Sequence, residues 1–402
     1  MVSRRLVALI AAPLLAIGCH DNPVNPEEGE PPFMGGNPTF TTIPEGPYRL
    51  NHYGSFAVFA ARIAGLDAVL TRATVDEVRA DANRDARTSG CPSAAGVHST
   101  AFCWNTGDGA DKDWYPQGIT ASWDATADGL YGGHLTILAS WYDHRDVSAS
   151  QNKGVRISFV NYDDPSDITY RHVLLVEPIS TSDFRAVRMH AGGIAWYGDY
   201  LYVMDTGRGI RVFDLRHIWR AEAEGTMSHI GYYSGQYVAF NYRYVMPQVG
   251  EYIQVSTGSC PPGSADEPLC FSFSGLDRST DPPSILVGEY YNKQTGARLV
   301  RYPLDPVTSL LATDASGTVA AVQAYSSPNH NLQGAVSYDG VYFMSRSYGD
   351  ASGFFYRTEL GGVPVSSRVV KYPEDLSYQP QTGRVWSLSE NPGTRLVFTV
   401  TP

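Results

Sequence analysis

The 402-residue chain lacks most of the short motifs that announce a chemistry. It has no GxSxG elbow, no HExxH and no CxxC pair, and Asp108-Gly-Ala-Asp-Lys-Asp113 carries carboxylates without the spacing of a calcium loop. No basic run offsets the formal charge of −11, so nucleic acid is not an expected partner. After Ile17 no apolar run reaches the ~20 residues needed to cross a bilayer. Cysteine is sparse, five in all, which excludes a disulfide-dense scaffold for a chain of this length. What the chain has instead is tyrosine (26), glycine (39) and proline (26), with 43% hydrophobic residues. That is enough to build a core, and it favours many short strands joined by turns over helix bundles.

The N-terminus gives an address. Arg4 and Arg5 precede an apolar run from Leu6 to Ile17, which reads as a secretory signal over residues 1–18. Leu15-Ala16-Ile17-Gly18-Cys19 resembles a bacterial lipobox with Ala16 in place of the usual leucine, and makes Cys19 the expected lipidated residue; the alternative is ordinary signal cleavage nearby. Residues 19–37, rich in proline and glycine, read as a tether, and 38–402 as one domain. The expected location is the bacterial cell envelope, with the lipid as the only membrane contact and the mature chain, at −13, a monomer. Of the four remaining cysteines we expect Cys91–Cys103 and Cys260–Cys270, each closing a short loop rich in Pro, Gly and Ser.

Self-similarity is the strongest internal signal. A short motif recurs as Tyr115-Pro-Gln-Gly-Ile119, His190-Ala-Gly-Gly-Ile194, Ser272-Phe-Ser-Gly-Leu276, Asn331-Leu-Gln-Gly-Ala335 and Tyr372-Pro-Glu-Asp-Leu376. Each is followed by two aromatic, β-branched runs, such as DYLYVMDTG and GIRVFDLRHI after the second, and most by a fourth, such as TYRHVLLVEP. Four antiparallel strands per repeat make the blade of a β-propeller. The expected fold is therefore all-β: five blades of four antiparallel strands, with long loop insertions in the early blades. The last repeat stops one strand short, and Pro38–Ile43 is the expected closing strand. Residues 47–114 fit no blade; they read as an irregular, partly helical insertion, with helical spacing over Ala64–Arg79 and a degenerate sixth blade as the alternative.

The string HAGGIAWYGDYLYVMDTGRGIRVFD, with YPQGI, NKGVRISFV and NLQGAVSYDG, resembles a group of secreted bacterial β-propeller proteins over roughly residues 110–402. No activity is established for that group, so the resemblance implies fold and export and carries over no catalytic residue. The motifs match neither the WD40 nor the kelch signature, and no sialidase-type Asp-box repeats are present.

If the motif begins the innermost strand, its first position (Tyr115, His190, Ser272, Asn331, Tyr372) and third (Gln117, Gly192, Ser274, Gln333, Glu374) are expected near the axis, while the apolar fifth packs between blades. His190 is the sharpest candidate, as a base beside the cationic Arg185 and Arg188 or as a blade-to-blade hydrogen-bonding residue. His330 precedes the fourth motif, and the two histidines with Gln117, Gln333 or Glu374 would suit a divalent metal, though a polar, water-filled channel is the better expectation. Tyr115 and Tyr372 suit acid or sugar-stacking roles, with plain packing the commoner use of a tyrosine. Arg208 sits in Asp205-Thr-Gly-Arg-Gly-Ile210, a hairpin turn rather than a phosphate loop. Two functions from different classes follow: a surface-anchored module that binds an extracellular glycan, with Trp114, Trp141, Trp196 and Tyr197 among its expected aromatic contacts, or a polysaccharide lyase or hydrolase using His190, Arg188 or Arg208, and Tyr372. A scaffold without a small ligand is the third.

Overall fold

The five motifs open strands because each leads into β-branched and aromatic residues that fit a pleated, buried surface. In the computed structural model, which describes residues 38–402 except 94–95, 224, 226, 257–259, 261–267 and 291–295, these strands are Trp114–Ala121, Ile194–Tyr197, Phe273–Asp277, Leu332–Tyr338 and Pro373–Gln379. Cys19 and the tether lie outside the described residues. Each strand begins an antiparallel meander of four: 114–121 with 136–143, 155–161 and 169–178; 194–197 with 200–205, 209–214 and 244–254; and likewise for the rest. The opening strands adjoin one another in a cycle, first to second to third to fourth to fifth and back to the first. The protein is an all-β propeller, and we read the five meanders as its blades. The outer strands of the first two pair in parallel, Val245 with Leu174 and Pro247 with Val176, which fuses those two blades into one sheet.

Two expectations about the N-terminal region are corrected. The strand that completes the last blade is Ser99–Phe102, paired with Val397–Val400, and not the segment at Pro38–Ile43. Thr41–Ile43 instead adds a fifth strand to the third blade beside Gln323–Ser326, held by Phe40, whose ring lies 5.2 Å from Tyr325 and 4.7 Å from Tyr342. Residues 47–114 are therefore partly blade, and among the described residues they form no four-stranded unit of their own. The expected helix over 64–79 is two helices, α1 (Ser55–Asp67) and α2 (Val75–Ala80). Thr74 divides them: its hydroxyl accepts from the Glu77 amide (3.1 Å) while the Glu77 carboxylate accepts from the Thr74 amide (2.8 Å), a capping box that starts a new helix. Both expected disulfides are present, Cys91–Cys103 and Cys260–Cys270, with Cα atoms 5.6 and 5.5 Å apart.

The largest correction concerns the axis. It is lined at its narrowest level by the fourth motif position, which reads Gly118, Gly193, Gly275, Gly334 and Asp375. A methyl group on Gly193 would stand 2.3 Å from the Ser274 nitrogen, and one on Gly334 2.7 Å from the Asp375 Cα, so the strands approach as closely as backbone allows. Into that ring the fifth strand sends a carboxylate. Asp375 is fully buried and accepts from the backbone N–H groups of Ile119 (3.4 Å), Ile194 (3.1 Å) and Ser274 (3.2 Å), one from each of the first three blades. Burial pushes its carboxyl well above the usual range, against the pull of those N–H groups. The axis is closed at this level by a hydrogen-bonded plug, where a water-filled channel was expected. The fifth position does pack as expected: Ile119, Ile194, Leu276, Ala335 and Leu376 are all buried in the clusters between blades.

Replacing Asp375 by Asn sets an amide against N–H donors that now meet a carboxylate. The expected loss is about 1–3 kcal/mol of unfolding free energy, read from the denaturant midpoint. An unchanged midpoint would show that the three N–H contacts do not hold the blades together.

Candidate functional site at the mouth of the opening strands

The first motif position lies where each opening strand begins, on the face that also carries the turns between second and third strands. Backbone strain collects here. Ala191, Asn331 and Tyr372 all adopt left-handed conformations, with φ of 55°, 55° and 51°, which asparagine tolerates and tyrosine adopts at a cost.

Four predicted residues come together on the side of this mouth shared by the first, second and fifth blades. His144 stacks on Tyr115 with ring centroids 4.4 Å apart, and Tyr142 lies 6.1 Å from Tyr115 and 4.4 Å from His190, the latter edge-on. Beneath them the Gln117 amide donates to the Glu390 carboxylate at 2.6 Å. Tyr372 donates its hydroxyl to Asp350, and its carbonyl accepts from the Glu390 backbone at 3.3 Å. His144 is exposed, and Tyr115, His190 and Tyr372 are half-buried.

Glu390 is the residue that reading the motifs alone missed. Second strands end on or beside an acid in four blades: Asp143, Asp205, Glu289 and Glu390. Three of the four hold an arginine of their own blade, Asp143 with Arg145, Asp205 with Arg211 at 2.8 Å, and Glu289 with Arg298 at 2.7 Å. Glu390 holds none. The nearby Arg395 spends its N–H groups on the carbonyls of Glu390, Asp108 and Trp114, each at 2.6 Å. Burial therefore pushes the Glu390 carboxyl up to about 7, with the Gln117 amide and the Arg395 charge pulling the other way. Burial, with His144 adding to it, pulls His190 down to about 4, so its imidazole is neutral at pH 7, and its Nε2 is buried without a partner. Burial and Asp350 hold the Tyr372 phenol above its ordinary range.

The other predicted residues are placed as follows. Arg188 is exposed in the connector leading to His190 and makes no ion pair among the described residues. Arg185 is paired with Glu177 at 2.8 Å. Arg208 occupies the expected hairpin turn but is bound by Glu251 at 2.7 and 3.0 Å, which takes up the fork a ligand would need. Glu374 is buried, with its carbonyl accepting from Ser345 (2.7 Å) and Ser387 (3.2 Å). Gln333 donates to Ser347 at 3.2 Å, and His330 is engaged by Arg346 at 2.9 Å. His190 thus packs on Tyr142 and His330 on Arg346, and the two histidines are not joined. No group of three or more His, Cys, Asp or Glu suited to a metal occurs among the described residues. Trp141 and Trp196, expected as glycan contacts, are fully buried core residues, while Trp114 and Tyr197 are almost so.

Two other features bear on where a ligand would bind. Another buried acid, Asp124, lies at the far end of the opening strands, where the hydroxyls of Thr120 and Ser377 donate to it at 2.7 Å each; burial pushes it up to about 7. A groove of about 520 Å³ runs along the flank, away from the mouth, lined by His52, Phe56, Tyr252, Leu304 and Leu310 among others.

No protein-family model matches this chain, and no curated protein does. Among solved structures it is similar to the GH43_1 enzyme from Xanthomonas citri complexed with xylose, at 11% identity and a TM-score of 0.33 over 76% of this chain and 89% of that one. The same enzyme complexed with xylotriose gives 11% and 0.34 over the same shares, and the enzyme by itself 11% and 0.34 over 76% and 90%. No residue role is carried across from that likeness.

A raised folded-state pKa sets a sign. Glu390 ionises in the unfolded chain near its ordinary 4.5 but in the folded chain near 7, so folding is penalised progressively between those values and constantly above them. Glu390→Gln removes the penalty. Its melting temperature is expected to exceed that of the parent at pH 8, by an increment equivalent to roughly 3 kcal/mol at most, and to match it at pH 4. A destabilised variant at pH 8 would mean that the carboxylate is held by contacts stronger than Gln117.

Proposed function

We propose that the protein is an exported, lipid-anchored propeller that binds an extracellular glycan at the mouth formed by Tyr115, Gln117, His144, His190, Tyr372 and Glu390. The observation that carries this reading is Glu390: a carboxyl buried at the mouth with one amide partner and, among the described residues, no ion pair, beside two phenols and an imidazole. Such a group is costly to the fold, and costs of this kind cluster at functional sites. With its pKa near 7 it both donates and accepts hydrogen bonds at neutral pH, which suits sugar hydroxyls. The two disulfides suit an oxidising, extracytoplasmic compartment. Lipidation at Cys19 would leave the domain on a tether above the membrane.

One observation favours a catalytic reading of the same mouth. His190 is neutral at pH 7 with a partnerless Nε2, and Arg188, two residues earlier, makes no ion pair among the described residues. A lyase would use His190 as the base and Arg188 to neutralise a uronate carboxylate. A hydrolase would use Glu390, protonated in part at pH 7, as the general acid.

The test is a screen of the purified domain against neutral and acidic polysaccharides, recording binding and the absorbance of an unsaturated product. Binding is expected, weakened at least tenfold in Glu390→Gln and largely retained in His190→Ala. Product formation that His190→Ala abolishes would move the assignment to a lyase. Absence of both binding and product across the panel would contradict any glycan function.

A further inference from the structure

The described residues include six arginines buried to 6% exposure or less: Arg79, Arg156, Arg298, Arg301, Arg346 and Arg395. Four have a carboxylate, Arg79 with Asp163, Arg156 with Asp108, Arg298 with Glu289 and Arg301 with Asp277. Arg395 is satisfied by three carbonyls. Arg346 has neither. Its Nη2 meets the His330 Nε2 at 2.9 Å, its Nη1 reaches the Tyr356 hydroxyl at 3.4 Å, and its Nε has no partner. An unpartnered Nε is not special, since Arg79, Arg156 and Arg301 share it; the missing counter-charge is.

The position of Arg346 sharpens the point. It ends the second strand of the fourth blade opposite Leu332, the register position of Gly288 and Ser389 in the third and fifth blades, one residue before their acids Glu289 and Glu390. The charge is 2% exposed, and burying a cation without an anion is among the more expensive arrangements a fold can hold. Its neighbour His330, half-buried in the connector into the fourth motif, is kept neutral by burial and by the guanidinium itself, which pull its pKa down to about 4. A neutral imidazole nitrogen is a weak stand-in for an oxyanion at that point.

We propose that Arg346, with His330 as the group an incoming oxyanion displaces or joins, is the specificity determinant of the mouth, and that the glycan it selects is acidic, bearing a uronate carboxylate or a sulfate ester. This rests on the glycan-binding function proposed for the mouth, and places the anionic group on its fourth-blade side, next to the fifth blade that carries Glu390. A guanidinium offers parallel N–H groups to two oxygens of either anion, which a neutral sugar cannot match.

The experiment measures binding of galacturonate, galactose 6-sulfate, galactose and plain sulfate to the whole soluble domain, for the parent, Arg346→Met and Arg346→Lys. Thermal shift provides the readout. The proposal expects one or both acidic sugars to bind at least tenfold more tightly than galactose, with the two acidic arms separating carboxylate from sulfate ester. Arg346→Met should fold with an unchanged or higher melting temperature, since it removes an uncompensated charge, and should lose the preference; Arg346→Lys should keep part of it. Equal binding of galactose and both acidic sugars, or a preference that survives in Arg346→Met, overturns the proposal and leaves the glycan reading standing. Arg346-dependent binding of plain sulfate without any sugar preference keeps the anion site and overturns the acidic glycan as its ligand. A melting temperature in Arg346→Met that falls sharply, with no anion effect in Arg346→Lys or the parent, assigns Arg346 to packing and overturns the site altogether.

Discussion

The carboxylate of Asp375 is the point on which the propeller turns. Opening strands that pack glycine against backbone leave N–H groups pointing at the axis, and a buried N–H without a partner costs about as much as a hydrogen bond gains. One side chain resolves this for three blades at once, because Ile119, Ile194 and Ser274 all donate to the same carboxyl. The fifth blade can supply that group only because the other four carry glycine at the same position. The consequence for function is spatial. Asp375 sits on the axis at this level, and the first motif positions lie at the mouth above it.

Those residues divide into two halves of opposite character. Around the first, second and fifth blades lie the stacked Tyr115 and His144, the neutral His190 and the uncompensated acid Glu390. Around the fourth lie His330, Gln333 and the uncompensated base Arg346. Elsewhere buried charges are paired with care, as in Glu289 with Arg298 and Asp277 with Arg301. At the mouth two buried groups of opposite sign, Glu390 and Arg346, have no ion pair among the described residues, and together they suit the polar ligand with an anionic group proposed above.

Much of this was legible in the sequence, and the failures have physical causes. The repeated motif, the two strands behind it and the short disulfide loops are local patterns, so they could be read directly. Asp375 was visible as the odd member of a column reading Gly, Gly, Gly, Gly, Asp, yet the polar first and third positions drew the eye away from it; close backbone approach, the reason for the glycines, was the clue. Glu390 and Arg346 lie at the ends of second strands but at different register positions, and the meaning of each lies in a missing ion-pair partner that only three dimensions reveal. The closing strand was misplaced because 41–43 and 99–102, three and four residues long, are both too short for sequence to rank one above the other. Which blade each joins depends on burial of Phe40 against Tyr325 and Tyr342 in one case and of Phe102 against Trp104 in the other. The break between α1 and α2, by contrast, was written as Thr74-Val-Asp-Glu77 and could have been read.

The histidines give the central claim its most direct test, because they sample both the mouth and the rest of the surface. His144, His190 and His330 belong to the mouth; His52 lines the flank groove, and His229 stacks on Tyr233 far along the chain from any motif. Imidazole nitrogen resonances of the domain, labelled at histidine and titrated with an acidic oligosaccharide at neutral pH, should move for the first three and stay fixed for His52 and His229. Movement of His52 with the mouth unchanged would place recognition in the flank groove and contradict glycan binding at the mouth.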